Sequence, residues 1–90
     1  MTSVDPDRRY TRLGTPEGRD PDGSLTVRSS EGREVVLNPT AAALWELCDG
    51  STTVDEMVEA TTSLFAGSSD RIRQDVAETL FRLEDEQLLG

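Results

Sequence analysis

Leu37-Asn38-Pro39-Thr40-Ala41-Ala42-Ala43-Leu44-Trp45-Glu46-Leu47-Cys48-Asp49-Gly50 is the stretch that decides how this chain folds. Leu37 closes a β-branched run. Asn38 is a strong helix N-cap, because its side-chain oxygen can accept an early backbone N–H. Pro39 then falls at the first helical position, where its missing N–H costs nothing. Ala41, Leu44, Trp45 and Cys48 recur at three- and four-residue spacing, the period of one helix face. Asp49-Gly50 ends the helix, since glycine enters the left-handed conformation without a steric penalty. A strand therefore stops at residue 37 and a helix spans about 39–48.

Upstream, Leu25-Thr26-Val27-Arg28 and Arg33-Glu34-Val35-Val36-Leu37 flank Ser29-Ser30-Glu31-Gly32. Two β-branched runs around a Ser/Gly turn predict a hairpin with strands at about 25–28 and 33–37. Before it, Pro6, Pro16, Pro21, Gly14, Gly18 and Gly23 predict loop, with one short strand near 10–13 and a disordered tail over 1–9. Downstream, Thr53 and Glu56 have capping-box spacing for a helix over about 54–65, with Val54, Met57, Val58, Thr61, Leu64 and Phe65 on one face. Ala66-Gly67-Ser68-Ser69 breaks it. A third helix, about 70–87, starts with Asp70 at the positive end of the helix dipole. Ile72, Val76, Leu80 and Leu83 form one apolar stripe, and Ala77, Phe81 and Leu88 a second. Periodicity does not say which stripe packs on the core and which borders a groove. The expected fold is one α+β domain, residues 10–90.

Composition narrows the function. Ninety residues, 34% hydrophobic and 4% aromatic, give one small core. With 18 acidic and 9 basic residues the net charge is −9, which opposes nucleic acid and favours partners with basic patches. No apolar run is long enough to span a bilayer, and Met1 to Arg9 lacks a signal-peptide core, so a cytoplasmic protein is expected. There is no histidine and one cysteine, which removes the commonest general base, the commonest metal ligand and any thiolate cage. No glycine-rich phosphate loop is present. Asp55-Glu56 and Glu84-Asp85-Glu86 belong to solvated helix faces rather than to catalytic pairs, which need burial. Cys48, near a helix C-terminus, feels the dipole end that raises a thiol pKa, and reads as a core residue. Trp45 reads as core beside Leu44 and Leu47. Neither a catalytic residue, a metal site nor a cofactor is expected.

The helical half resembles the PqqD-like proteins, named for pyrroloquinoline quinone biosynthesis protein D and also called RiPP precursor-peptide recognition elements. The resemblance rests on the 37–50 stretch, continues through Ser51-Thr52-Thr53-Val54-Asp55-Glu56-Met57-Val58, and closes with Ile72, Asp75-Val76, Leu80, Leu83 and Gln87-Leu88-Leu89. It covers about Leu25 to Gly90. It implies a winged helix-turn-helix: an N-terminal three-stranded antiparallel sheet followed by three helices. It also implies a non-catalytic protein that binds the leader of a ribosomally made precursor peptide. The leader would lie as an added strand against the third strand, beside the third helix. The partner would be a modifying enzyme such as a radical SAM protein, or a leader peptidase. Strand addition uses the unpaired backbone groups of an edge. Laid onto this chain, the candidate peptide-binding residues are Arg33, Glu34, Val35, Val36, Leu37, Arg73, Val76, Ala77, Leu80 and Phe81. Arg33 and Arg73 are candidates to pair with acidic leader residues.

Three alternatives carry different expectations. A DNA-binding winged helix shares the architecture, but Arg71, Arg73 and Arg82 are outnumbered by Asp70, Asp75, Glu78, Glu84, Asp85 and Glu86 on the third helix. Gly23-Ser24-Leu25 mimics the attachment signal of an acyl or peptidyl carrier protein, yet a loop precedes it and a strand-like run follows. A scaffold or homodimerisation domain would use the same exposed edge to pair with its own copy.

Overall fold

The computed structural model describes residues 5–64 and 68–90. Met1–Val4, the expected helix end at Phe65 and the Ala66-Gly67 break lie outside the described residues, as does the side chain of Leu64. The elements are β1 (Arg9–Thr11), β2 (Thr15–Arg19), β3 (Leu25–Arg28), β4 (Glu34–Leu37), α1 (Pro39–Leu47), β5 (Asp49–Thr53), α2 (Val54–Leu64) and α3 (Ser69–Asp85). They make an α+β fold with an antiparallel sheet ahead of the helices.

Local chemistry sets the helix starts. The Asn38 side chain accepts the Ala41 N–H at 2.8 Å, with Pro39 in the first turn. Thr53 and Glu56 close their reciprocal box, at 2.9 Å from the Thr53 N–H to the Glu56 carboxylate and 3.1 Å in return. Ser68 caps α3 through the Arg71 N–H. At the other end of α3 the Gln87 N–H donates to the Glu84 carbonyl and the Leu88 N–H to the Leu83 carbonyl, a complete Schellman motif. Gln87 holds the left-handed position of that motif, with φ 63°. A side chain there costs energy that glycine avoids. Gln87→Gly should therefore stabilise the domain by about 1 kcal/mol, read as a higher urea midpoint.

The sheet differs from the expected one. Its three strands are β2-β3-β4, and the segment near residues 10–13 is not among them. Instead β1 pairs with β5, Arg12 bridges Leu89, and Thr11 exchanges both backbone bonds with Gly90. Tyr10, wholly buried, draws this segment onto the core. The chain expected as a tail is engaged from Pro6 onward: the Pro6 and Arg8 carbonyls accept the Asp55 and Val54 N–H groups, and Arg8 pairs with Glu84 at 2.8 Å. Gly14 joins the two sheets at φ 91°, where a Cβ would strike the Arg28 carbonyl oxygen, so only glycine fits.

The core lies between the sheets and the helices. Leu25, Val27 and Leu37 from the sheet meet Leu44, Trp45, Met57, Val76, Leu80 and Leu83 from the helices. Leu88 and Leu89 close it from the C-terminus. Both α3 stripes are spent on burial: Ile72, Val76, Ala77, Leu80, Leu83 and Leu88 are all buried, and Phe81 is half-buried.

Candidate functional site

Strand β4 is an edge strand. It pairs with β3 through Leu25↔Leu37, Thr26↔Val36, Val27↔Val35 and Arg28↔Glu34, and among the described residues its other side has no strand. The Ser29 N–H donates to the Arg33 carbonyl at 2.8 Å, which makes Ser29 and Arg33 a hydrogen-bonded pair. Bonded and non-bonded pairs alternate in an antiparallel ladder. Val35 and Leu37 therefore bond back to β3, and the N–H and C=O groups of Glu34 and Val36 point to the open edge.

The side chains alternate as well. Leu25, Val27, Ser29 and Leu37 are buried on the core face and Val35 is half-buried there. Glu34 and Val36 stand on the outer face, with Val36 60% exposed, an unusual place for a valine. On that face Arg28 spans the three strands, bonding Glu17 at 3.0 Å and Glu34 at 3.2 Å. The bridge holds the carboxyl of Glu17 below its usual range and raises the Arg28 guanidinium.

The two edges of this sheet are not equivalent. Strand β2 carries Pro16, a bulge between Pro16 and Gly18, and charges at Glu17 and Arg19. These features discourage pairing with another chain. Strand β4 has regular pairing throughout and an apolar residue in its middle.

The candidate residues on α3 fare differently. Val76, Ala77 and Leu80 are at most 2% exposed, so a ligand could touch them only by displacing a core neighbour. Phe81 is half-buried. Arg73 is exposed but already holds Asp55 at 2.7 Å. Arg33 is exposed at the start of β4. The accessible set is thus Arg33, Glu34, Val36, half-buried Val35, Arg73 and Phe81.

Two concave surfaces lie outside this set. An apolar cleft of about 160 Å³ between α1 and α2 includes Pro39, Thr40, Ala43, Leu47 and Thr61. Its first lining residue follows β4 by two positions. A larger hollow of about 540 Å³ runs over Arg12, Pro16, Arg19, Leu25, Trp45 and Glu46. There Arg12 donates to the Glu46 carbonyl at 2.6 Å and Arg19 pairs with the Glu46 carboxylate, so both arginines hold the end of α1. Sequence reasoning gave neither surface, because each joins residues far apart in the chain.

The reactive groups are quiet. Cys48 is buried, its thiol donates to the Leu44 carbonyl at 3.2 Å, and burial pushes it up to about 12. The Asp49 carboxylate accepts the Ser51 and Thr52 N–H groups, which hold it down to about 2 and fold the turn that opens β5. Ser24 sits at the end of a tight turn, with the Asp20 N–H donating to its carbonyl and β3 following, so it does not begin a helix. Among the described residues no three His, Cys, Asp or Glu side chains gather as a metal site, and no helix is long and apolar enough to cross a membrane.

Comparison with known proteins gives two similarities. A family model described as Coenzyme PQQ synthesis protein D (PqqD) matches residues 16–89, beginning inside β2 and therefore upstream of the sequence resemblance. No curated protein sequence matches the chain significantly. Among solved structures the chain is similar to TbiB1 in complex with the TbiA(beta) leader peptide. The TM-score is 0.75 at 16% identity, over 89% of this chain and 94% of the other. At that identity the likeness speaks for the fold.

Proposed function

This chain belongs to the coenzyme PQQ synthesis protein D family, and from that premise we propose that it is a non-catalytic module that binds the leader segment of a ribosomally made precursor peptide. The leader adds as a strand to β4. It bonds to the outward backbone groups of Glu34 and Val36 and packs beside Val36, Val35 and Phe81. The bound peptide is presented to a modifying enzyme or a leader peptidase. We read the fold as a winged helix-turn-helix and the setting as cytoplasmic.

The observation that carries this reading is the unpaired, regular β4 edge with Val36 60% exposed. Backbone bonds along an edge supply affinity with little demand on sequence. The related fold solved with a leader peptide supports a peptide as the ligand. The ion pairs of α3 support it too. Arg71, Arg73 and Arg82 face Asp75, Asp55 and Glu86, which leaves little for a phosphate backbone.

The test is a titration of fluorescent peptides made to the N-terminal segments of short open reading frames neighbouring this gene. Saturable binding that unlabelled leader competes away is expected. A flat anisotropy curve with folded protein at the highest soluble concentration would overturn the proposal. Sedimentation of the free protein checks self-pairing of β4, which would instead give a dimer that the leader does not dissociate.

A further inference from the structure

Eight of the nine arginines are engaged. Arg8, Arg19, Arg28, Arg71, Arg73 and Arg82 face carboxylates, and Arg9 and Arg12 donate to the Ser51 and Glu46 carbonyls. Among the described residues Arg33 alone has a guanidinium with no such partner. It stands where the open edge begins. Its ladder partner Ser29 is buried, so the alternation puts the Arg33 side chain on the same face as Val35 and Leu37. Glu34, next along, is already held by Arg28.

We infer that Arg33 sets the specificity of the β4 edge by selecting an extended peptide with an acidic side chain opposite it. This rests on the strand-addition reading. The position facing Arg33 takes Asp or Glu. Two positions away on the same face, opposite half-buried Val35, the peptide takes an apolar residue. The residue opposite Val36, on the other face, is apolar as well. The position opposite Glu34 is less restricted, because that carboxylate is held by Arg28, which it shares with Glu17. A free guanidinium on a chain of net charge −9 is a local exception, so it discriminates at contact range while the remaining charge is screened.

The experiment selects a phage-displayed library of random 12-residue peptides on three immobilised full-length baits: the native protein, Arg33→Glu and Val36→Pro. Circular dichroism first establishes that each is folded. Arg33 has no partner to lose, so its variant should keep the native melting temperature. The native bait should enrich peptides with an acidic residue two positions from an apolar one. Arg33→Glu should enrich Lys or Arg at the acidic position, and Val36→Pro should enrich nothing above background. In solution, exchanging Asp for Lys in a selected peptide should weaken native binding about two- to five-fold, and Arg33→Glu should restore it. Peptides that need an intact edge but show no acidic preference, or keep it with Arg33→Glu, would overturn the role of Arg33 and leave edge docking standing. Equal enrichment on Val36→Pro, or none on the native bait, would overturn edge docking and this inference with it.

Discussion

Val36→Pro should abolish leader binding, weakening it about 100-fold, while the domain stays folded. The ladder phase decides this. The Val36 N–H points away from β3, so proline removes no bond that holds the sheet together. Proline is tolerated in a strand where its missing donor would have faced outward. An incoming peptide meets a different surface. One of its carbonyls loses a donor and is left unsatisfied in a partly dry interface, at about 1–3 kcal/mol. A net hydrogen bond of about 1 kcal/mol is lost as well, and the ring fills the space the peptide would occupy. Together these come to about 3 kcal/mol, or about 100-fold in affinity. Val35→Pro is the contrast. Its N–H faces β3, so that variant should lose the hairpin and melt early. The paired measurement is leader anisotropy alongside a thermal melt for each variant. A folded Val36→Pro protein with native affinity would rule out strand addition at β4.

The contrast between these neighbours also shows what could be read from the chain. Strands β3 and β4 were legible because β-branched residues alternate around a Gly turn. The helices were legible because each start carries its own signal: Asn38-Pro39, the Thr53 and Glu56 pair, and the acidic first turn of α3. Strands β2 and β5 were not. Thr15-Pro16-Glu17-Gly18-Arg19 and Asp49-Gly50-Ser51-Thr52-Thr53 bury almost no side chain, so they carry no hydrophobic alternation. They are strands because distant backbone groups meet them, and neither sequence has the composition of a strand. The expected first strand was misplaced for the same reason. Tyr10 lies in β1, which spans Arg9–Thr11 and stops short of Leu13, and the partners of this segment, β5 and the C-terminal residues, lie about 40 and 80 positions away.

The site divides along the same line. The edge was readable, since it needed only the hairpin and its alternation. The α3 wall was not, because its two stripes look alike in sequence. The buried positions of Val76, Ala77 and Leu80 follow from the packing of α3 against α2 and α1. The pairing of Arg73 with Asp55 across α2 and α3 is likewise a tertiary event, and it is what separates Arg73 from Arg33 as a candidate for an acidic ligand.

Trp45→Ala should bring the domain close to its unfolding midpoint at 25 °C, with up to about half of the population unfolded. Trp45 is 3% exposed and its indole N–H donates to the Leu88 carbonyl at 3.0 Å, tying α1 to the C-terminal residues that bridge β1. The Arg12 guanidinium lies 5.7 Å from the ring centroid and seals it from above. Removing a buried indole costs about 3–5 kcal/mol, through lost transfer energy and the cavity left behind. A domain of this length has about 5–13 kcal/mol in total, and its small core puts it near the lower bound. Trp45→Phe separates packing from hydrogen bonding. It keeps most of the ring contact and gives up the indole donor. The Leu88 carbonyl still accepts the Leu13 N–H at 2.9 Å, so it is not left bare. That variant should cost about 1 kcal/mol and lower the melting temperature by about 4–8 °C. Urea denaturation followed by far-UV circular dichroism measures both, since fluorescence is lost with the single tryptophan. If the alanine variant unfolded at the native urea midpoint, the indole would not be the link between α1 and the C-terminus, and β1, which leans on that C-terminus, would need another support.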